Sequence, residues 1–309
     1  MFAPALRTAQ ARRIGQFLLS GVVGAGLVGA AAIAEAAPRR HRGAAPATLA
    51  VDYGINLAGL PIGTARLAGS FEGPRYRADV SAVLTGLVGA ITGGQGSAQA
   101  SGTFAASPQP NTFAIATRTA NAGIAVRMAL RSGNVTQSEV IPPLLDMEDR
   151  VPITAANKRG IMDPVSALVM PAHARGELTD PENCNRTLPV FDGATRFNVV
   201  LSYSETRSVG KPGYAGPVLV CNARYQAVAG HRPDRPGVRF MEENRDMSVW
   251  LAPVEGTRVL VPLRISVRTT VGTNIIEATR WNRAGAVAEA APQGAGPAQT
   301  GSVASLDAQ

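Results

Sequence analysis

Residues 258–268 read Arg-Val-Leu-Val-Pro-Leu-Arg-Ile-Ser-Val-Arg. Val259, Val261, Leu263, Ile265 and Val267 occupy every second position, with Arg258, Arg264 and Arg268 on the alternate set. Side chains of an extended chain point alternately to opposite faces, so this period of two is the mark of a half-buried β-strand. Pro262 lacks the N–H that a ladder needs, which places the segment at a sheet edge or at a bulge. Outward from this stretch the same period recurs. Phe197, Val199, Leu201 and Tyr203 share one face, as do Leu219, Cys221, Ala223 and Tyr225. Val51, Tyr53, Ile55 and Leu57 alternate with Asp52, Gly54, Asn56 and Ala58, and Gly59-Leu60-Pro61 turns the chain into a hairpin partner over 63–71. Further strands are expected over 75–83, 96–104, 112–119, 124–131, 135–141 and 274–281, separated by Gly, Pro, Asn and Ser. Strands at this spacing predict an all-β fold: a large antiparallel curved sheet, or an open β-barrel, with one or two short helices.

Two segments break the alternation. Asp163-Pro164 ahead of Val165–Val169 reads as a helix start, because Asp accepts hydrogen bonds from free N–H groups and Pro suits the first turn. Ala82–Ile91 is apolar on all sides and ends at Gly93-Gly94. It predicts a short helix over one end of a barrel, or a buried strand. Leu84, Leu87, Val88 and Ile91 are candidate lid residues, since an apolar flap of small residues opens a ligand cavity with little strain.

The ends of the chain have a different character. Arg7, Arg12 and Arg13 precede an apolar run from Phe17 to Ile33, and Ala34-Glu35-Ala36 supplies small residues where a signal peptidase cuts. A cleavable signal peptide over 1–36 is expected, with the protein exported to the periplasm or secreted. A retained anchor is the alternative, the run being at the lower edge of a spanning length. Arg12-Arg13 matches a twin-arginine signal poorly, and no Cys follows the apolar run to carry a lipid anchor. Residues 37–47 read as a linker, and 284–309, without an aromatic residue or large apolar cluster, as a disordered tail. A single β-rich domain over 48–283 lies between them.

Removal of residues 1–36, with three Arg and one Glu, takes the formal net charge from +8 to +6. The arginines are scattered singly and aromatic residues are 5% of the chain, which argues against a nucleic-acid partner. The one basic cluster, Arg39-Arg40-His41-Arg42, lies in the linker, where peripheral contact with anionic lipid is an option. Cys184 and Cys221 are the two cysteines. In an oxidising compartment an even, small number of cysteines pairs, so a disulfide is expected. Two buried thiols or a catalytic thiol are the alternatives. The three histidines, His41, His173 and His231, show no metal-ligand spacing, and no metal or cofactor is implied. The Gly86–Gly96 stretch lacks the Lys-Ser/Thr ending of a phosphate loop. His231, Arg232 and Asp234 form a candidate functional loop, and with Cys221 or Cys184 they spell out a hydrolase triad that requires a free thiol.

Several longer motifs then come together: Asp163–Leu168 (DPVSAL), Cys184–Gly193 (CNRTLPVFDG), Gly213–Pro217 (GYAGP) with Val220-Cys221, Ala229–Pro233 (AGHRP), Gly59–Gly63 (GLPIG) and Trp250–Pro253 (WLAP). With these the chain resembles the exported bacterial proteins grouped as domain of unknown function 3108, over residues 48–283. The resemblance implies a periplasmic or outer-membrane-associated β protein of Gram-negative, alphaproteobacterial origin. It brings no catalytic residues and a distant likeness to open β-barrel carriers of lipoproteins. The function expected is non-enzymatic binding of a lipid, lipoprotein chain or other apolar ligand. A structural or scaffolding role among envelope proteins is the second reading, and a Cys/His hydrolase the third.

Overall fold

The computed structural model describes residues 46–283 other than 146, 174, 212 and 213. The expected signal peptide, the tail and all but the last two residues of the linker lie outside the described residues. Fourteen strands form one open antiparallel sheet. In chain order they are β1 (Ala47–Leu57), β2 (Leu60–Glu72), β3 (Arg75–Leu84), β4 (Gln95–Phe104), β5 (Pro108–Arg118), β6 (Gly123–Arg131) and β7 (Asn134–Ile141). There follow β8 (Met170–Pro171), β9 (Arg186–Phe191), β10 (Arg196–Lys211), β11 (Tyr214–Ala229), β12 (Met247–Val254), β13 (Val259–Thr269) and β14 (Gly272–Arg283). Helix α1 (Gly86–Thr92) joins β3 to β4, and α2 (Pro236–Glu243) joins β11 to β12.

The strand order is β7-β6-β5-β4-β3-β2-β1-β14-β13-β12-β11-β10-β9, with β8 added to β13. Each half is a run of hairpins, and the first and last strands meet at the centre, Ile55 opposite Ile276. The first turn is tighter than expected. Ala58 and Gly59, both at positive φ, form it alone, and Leu60 and Pro61 already belong to β2. Positive φ at both turn residues matches the right-handed twist of the strands that it joins. The sheet curls strongly. The rings of Tyr214 in β11 and Trp281 in β14 meet edge-on at 5.1 Å, although two strands separate β11 from β14 in sheet order.

The stretch that decides the fold behaves differently from a simple alternation. Strand β13 lies inside the sheet, so Pro262 marks no edge. It sits at a bulge: Pro262 is opposite Leu251 and Arg264 opposite Trp250, leaving Leu263 as the extra residue. An extra residue reverses the facing of everything beyond it. Val259, Val261 and Leu263 therefore pack with Val51, Tyr53 and Phe71 in one core cluster. Ile265 and Val267 join Leu260 in a second, with Leu251 and Cys221. The Pro262 carbonyl next to the bulge accepts a buried hydrogen bond from the Tyr53 hydroxyl at 2.7 Å.

The connection from β7 to β9 separates the two clusters. Its Ile161, Val165 and Val169 face the first, and its Met162, Met170 and Ala172 the second. The expected helix after Asp163-Pro164 is a single 3-10 turn, Ser166–Leu168. Asp163 Oδ1 accepts from the N–H groups of Val165 and Ser166, each at 2.9 Å, and Oδ2 accepts from Ser166 Oγ at 2.5 Å. Ser166 Oγ in turn lies 2.7 Å from the Tyr76 hydroxyl in β3. This buried chain of polar groups fastens the connection to the first half of the sheet.

Burial outweighs those hydrogen bonds and pushes the Asp163 carboxyl up from 3.8 to about 6. The folded state thus holds a proton that the unfolded chain releases, and this stabilises the fold below about pH 4, with the gain lost as pH rises through about 6. Unfolding free energy is expected to fall by up to about 3 kcal/mol across this window. Asp163→Asn should remove that component. Urea titrations of the two proteins near pH 5 and near pH 8 check it, and parallel pH profiles would contradict it.

Candidate functional site

The second cluster is incompletely filled. A cavity of about 300 Å³ lies between one surface of β9–β13 and the connection. The sheet wall follows from register. Val190 stands opposite Phe197, Leu188 opposite Val199, and Leu201 opposite Ala223. On the far side Val249 is opposite Ile265 and Met247 opposite Val267. Because the bulge at Leu263 turns Ile265 and Val267 to this surface, the register shift in β13 makes part of the wall. The opposing wall is Pro164, Ala167, Leu168 and Met170, held by the Asp163 turn, and Met241 of α2 reaches in at one end. Three hydroxyl residues, Tyr225, Ser248 and Ser266, are the polar members of the lining.

The Tyr225 ring leans on Phe197 at 5.3 Å. Burial, then the nearby carboxylates of Asp192 and Glu242, raise the Tyr225 phenol above its ordinary range. The ring is therefore neutral and offers a hydrogen-bond donor in otherwise apolar surroundings. Helix α2 is lightly held. None of its residues is buried, and Glu242 Oε1 accepts the Ala227 N–H at 3.2 Å. Its C-terminal end is fixed better: Asn244 Nδ2 donates to the Arg268 carbonyl at 2.9 Å, and Arg224 Nη1 donates to the Asn244 carbonyl at 3.1 Å.

Cys184 and Cys221 form a disulfide within the cluster that lines the cavity, their Cα atoms 5.5 Å apart and both residues wholly buried. A polar clasp holds the segment ahead of Cys184. Buried Asn183 accepts the His173 N–H at 2.8 Å and donates to the carbonyls of Glu177 and Leu178. Arg186 Nη1 donates to the Pro171 carbonyl at 2.9 Å, and Arg258 Nε to the His173 carbonyl at 2.9 Å.

A family model described as protein of unknown function (DUF3108) matches residues 48–279. The chain belongs to this family. No curated protein and no solved structure matches it. The DUF3108 domain places the candidate residues as follows. The segment with Leu84, Leu87, Val88 and Ile91 splits between the end of β3 and helix α1, so both readings of it, strand and helix, apply in part. It lies beside the β1–β2 turn, with Thr85 N–H bonded to the Ile62 carbonyl at 2.9 Å. The cavity walls come from residue 164 onward, so α1 is not its lid; α2 is the helix at the cavity. His231 is half-buried; its carbonyl accepts the Val151 N–H at 2.9 Å and Gly230 N–H donates to the Val151 carbonyl at 2.7 Å, while His231 Nδ1 is buried without a partner. Asp234 is 95% exposed and pairs with Arg239 at 3.2 Å. With both sulfurs in the disulfide and Asp234 turned to solvent, the Cys/His/Asp triad is not assembled. Among the described residues no group of three or more His, Cys, Asp and Glu can hold a metal ion.

The sequence reading missed α2 and Met241. Pro236 at its first turn was the available signal, overshadowed by the Pro- and Arg-rich run around it. The disulfide closes a loop of 37 residues in sequence separation, worth about 3–4 kcal/mol in the chain-entropy model. Cys184→Ser and Cys221→Ser should each lower stability by that amount, and the double variant by little more. Strictly additive losses in denaturant titrations would contradict a shared bond.

Proposed function

We propose that this protein is exported to the cell envelope and holds one apolar chain, of the size of a fatty acyl group, in the cavity between β9–β13 and the connection. The observation that carries this reading is the lining itself, apolar throughout except for three hydroxyl residues. Ligand sites are concave and mostly apolar, with a few polar groups that set orientation, and they range over about 300–1,000 Å³. A volume of about 300 Å³ suits a single chain better than a whole diacyl lipid. Each buried methylene contributes about 0.8 kcal/mol, so a chain of about ten carbons gains about 8 kcal/mol before the cost of association. Met170, Met241 and Met247 suit such a guest, since unbranched thioether side chains adapt to chains of differing length. The signal-like N-terminus supports a periplasmic location, and the disulfide fits an oxidising compartment. Binding without catalysis is the activity proposed.

Titration with N-phenylnaphthylamine, whose emission rises in apolar surroundings, is expected to saturate and to be displaced by a medium-chain fatty acid. Ala223→Phe, which places a ring in the cavity from β11, should weaken the probe by at least about tenfold, an amount equal to about 1.4 kcal/mol. Absence of probe binding to the unsubstituted protein would refute the reading. So would undiminished binding by an Ala223→Phe protein that retains its strand content by circular dichroism.

A further inference from the structure

Apolar side chains are also exposed on this protein, and they are not scattered. Eight large ones are exposed among the described residues, and seven of them lie at one end of the sheet. Leu60 and Val271, each 69% exposed, sit at the β1–β2 and β13–β14 turns. Val83 and Ile124 lie at the same end of the sheet, in β3 and, with two strands between, in β6, and Ile141 ends β7 opposite Ala125. Leu145 and Met147 follow, before the chain bonds to Gly230 and His231. Only Tyr203 lies elsewhere.

These turns are joined to one another. Ala58 N–H donates to the Thr273 carbonyl at 3.0 Å, Thr85 N–H to the Ile62 carbonyl at 2.9 Å, and Ala120 N–H to the Thr92 carbonyl at 2.8 Å. The β13–β14 turn, the β1–β2 turn, α1 and the β5–β6 turn therefore form one continuous rim. Residues 57–64, 85–94, 117–124 and 268–273, which build it, contain no Asp or Glu. Their charged residues are Arg118 and Arg268, both exposed, the latter 3.8 Å from Asp246. The cavity reaches the same end. Met247 and Val267 in its wall are paired two residues from Thr269, which closes the β13–β14 turn, and Asn244 behind α2 bonds to Arg268.

We propose that this rim docks on an anionic lipid bilayer, with Leu60 and Val271 entering the acyl region and the cavity mouth beside α2 facing the headgroups. Protruding apolar turns suit a bilayer, which admits separate points of insertion, better than a partner protein, which needs a complementary surface. The four rim segments themselves carry no carboxylate to repel acidic headgroups, and Arg118 adds attraction, whereas Arg268 is shared with Asp246. The bilayer is then the source or the destination of the acyl chain. That last step rests on the function proposed above, whereas the docking itself does not.

Two measurements on the full chain test the docking, with vesicles of equal parts phosphatidylethanolamine and phosphatidylglycerol. Leu60→Trp, compared with the unsubstituted chain, is expected to add an emission that vesicles with brominated acyl chains quench. Leu60→Ser combined with Val271→Ser should lower the vesicle-bound fraction by about tenfold in partition coefficient. The N-terminal residues are common to every protein compared, so the difference reads the rim. Emission of the Leu60→Trp protein indifferent to brominated lipid would overturn the proposal, as would equal vesicle binding by the double serine variant. A blue shift that follows protein concentration without lipid would also overturn it, by assigning the rim to a second copy of the chain. Naphthylamine binding is measured alongside. Its loss with docking intact removes the acyl-chain reading alone, and its persistence with docking lost removes the docking alone.

Discussion

The pairing of β1 with β14 is the constraint on which the remaining architecture depends. It joins residues from 217 apart (Leu57 with Asn274) to 234 apart (Leu49 with Arg283), so its closure entropy is large, and it must be offset by what the two halves bury together. The Tyr53 hydroxyl bonded to the Pro262 carbonyl ties β1 to β13 across that pair. Burial raises the phenol well above its ordinary range, so the donor is always protonated there. Its acceptor sits beside the bulged residue, which couples the central pair to the reversal of facing in β13. Leu260 and Leu263 then enter opposite clusters, and one strand serves two cores.

The β7–β9 connection is the second consequence. A single sheet of this width with one polar and one apolar surface leaves the apolar surface open to water. The connection covers it, and the Tyr76–Ser166–Asp163 chain fixes where. An ionised carboxyl in such a place is costly, and that cost raises the Asp163 carboxyl above its ordinary range. Four of its neighbours, from Pro164 to Met170, are cavity wall. The polar chain on one side of this short turn and the apolar wall on the other are therefore parts of a single device.

Much of the fold was legible in the sequence because β1–β7 show one polar face to solvent, so Asp52, Arg66, Arg77 and Arg127 punctuate the apolar residues at a period of two. Strand β13 was legible as a strand but not in its facing. A bulge inverts the side of Ile265 and Val267 without disturbing the alternation of letters, and only pairing with β12 shows it. The disulfide followed from the cysteine number together with the export expected from the N-terminal sequence. The cavity did not, because its walls come from residues as distant as Pro164, Phe197, Met241 and Val267, each an ordinary core residue by itself. Helix α2 has a single side chain in that wall and none buried, and its amphipathic pattern spans only eight residues within a Pro- and Arg-rich run, too short to stand out.

Apolar walls open to water are not neutral for a protein, because each Å² left uncovered forgoes about 25 cal/mol. Met170, Met241 and Met247 are adaptable side chains in the lining, yet the Asp163 turn fixes the wall that faces the sheet. That tension is what a binding site requires: rigid supports at the back, adaptable side chains at the surface, and a loosely attached helix at the mouth. A guest chain restores the missing contacts and stabilises the fold by linkage in proportion to its affinity. On this argument the polar fastenings fix the apolar walls in the arrangement that the proposed chain would contact.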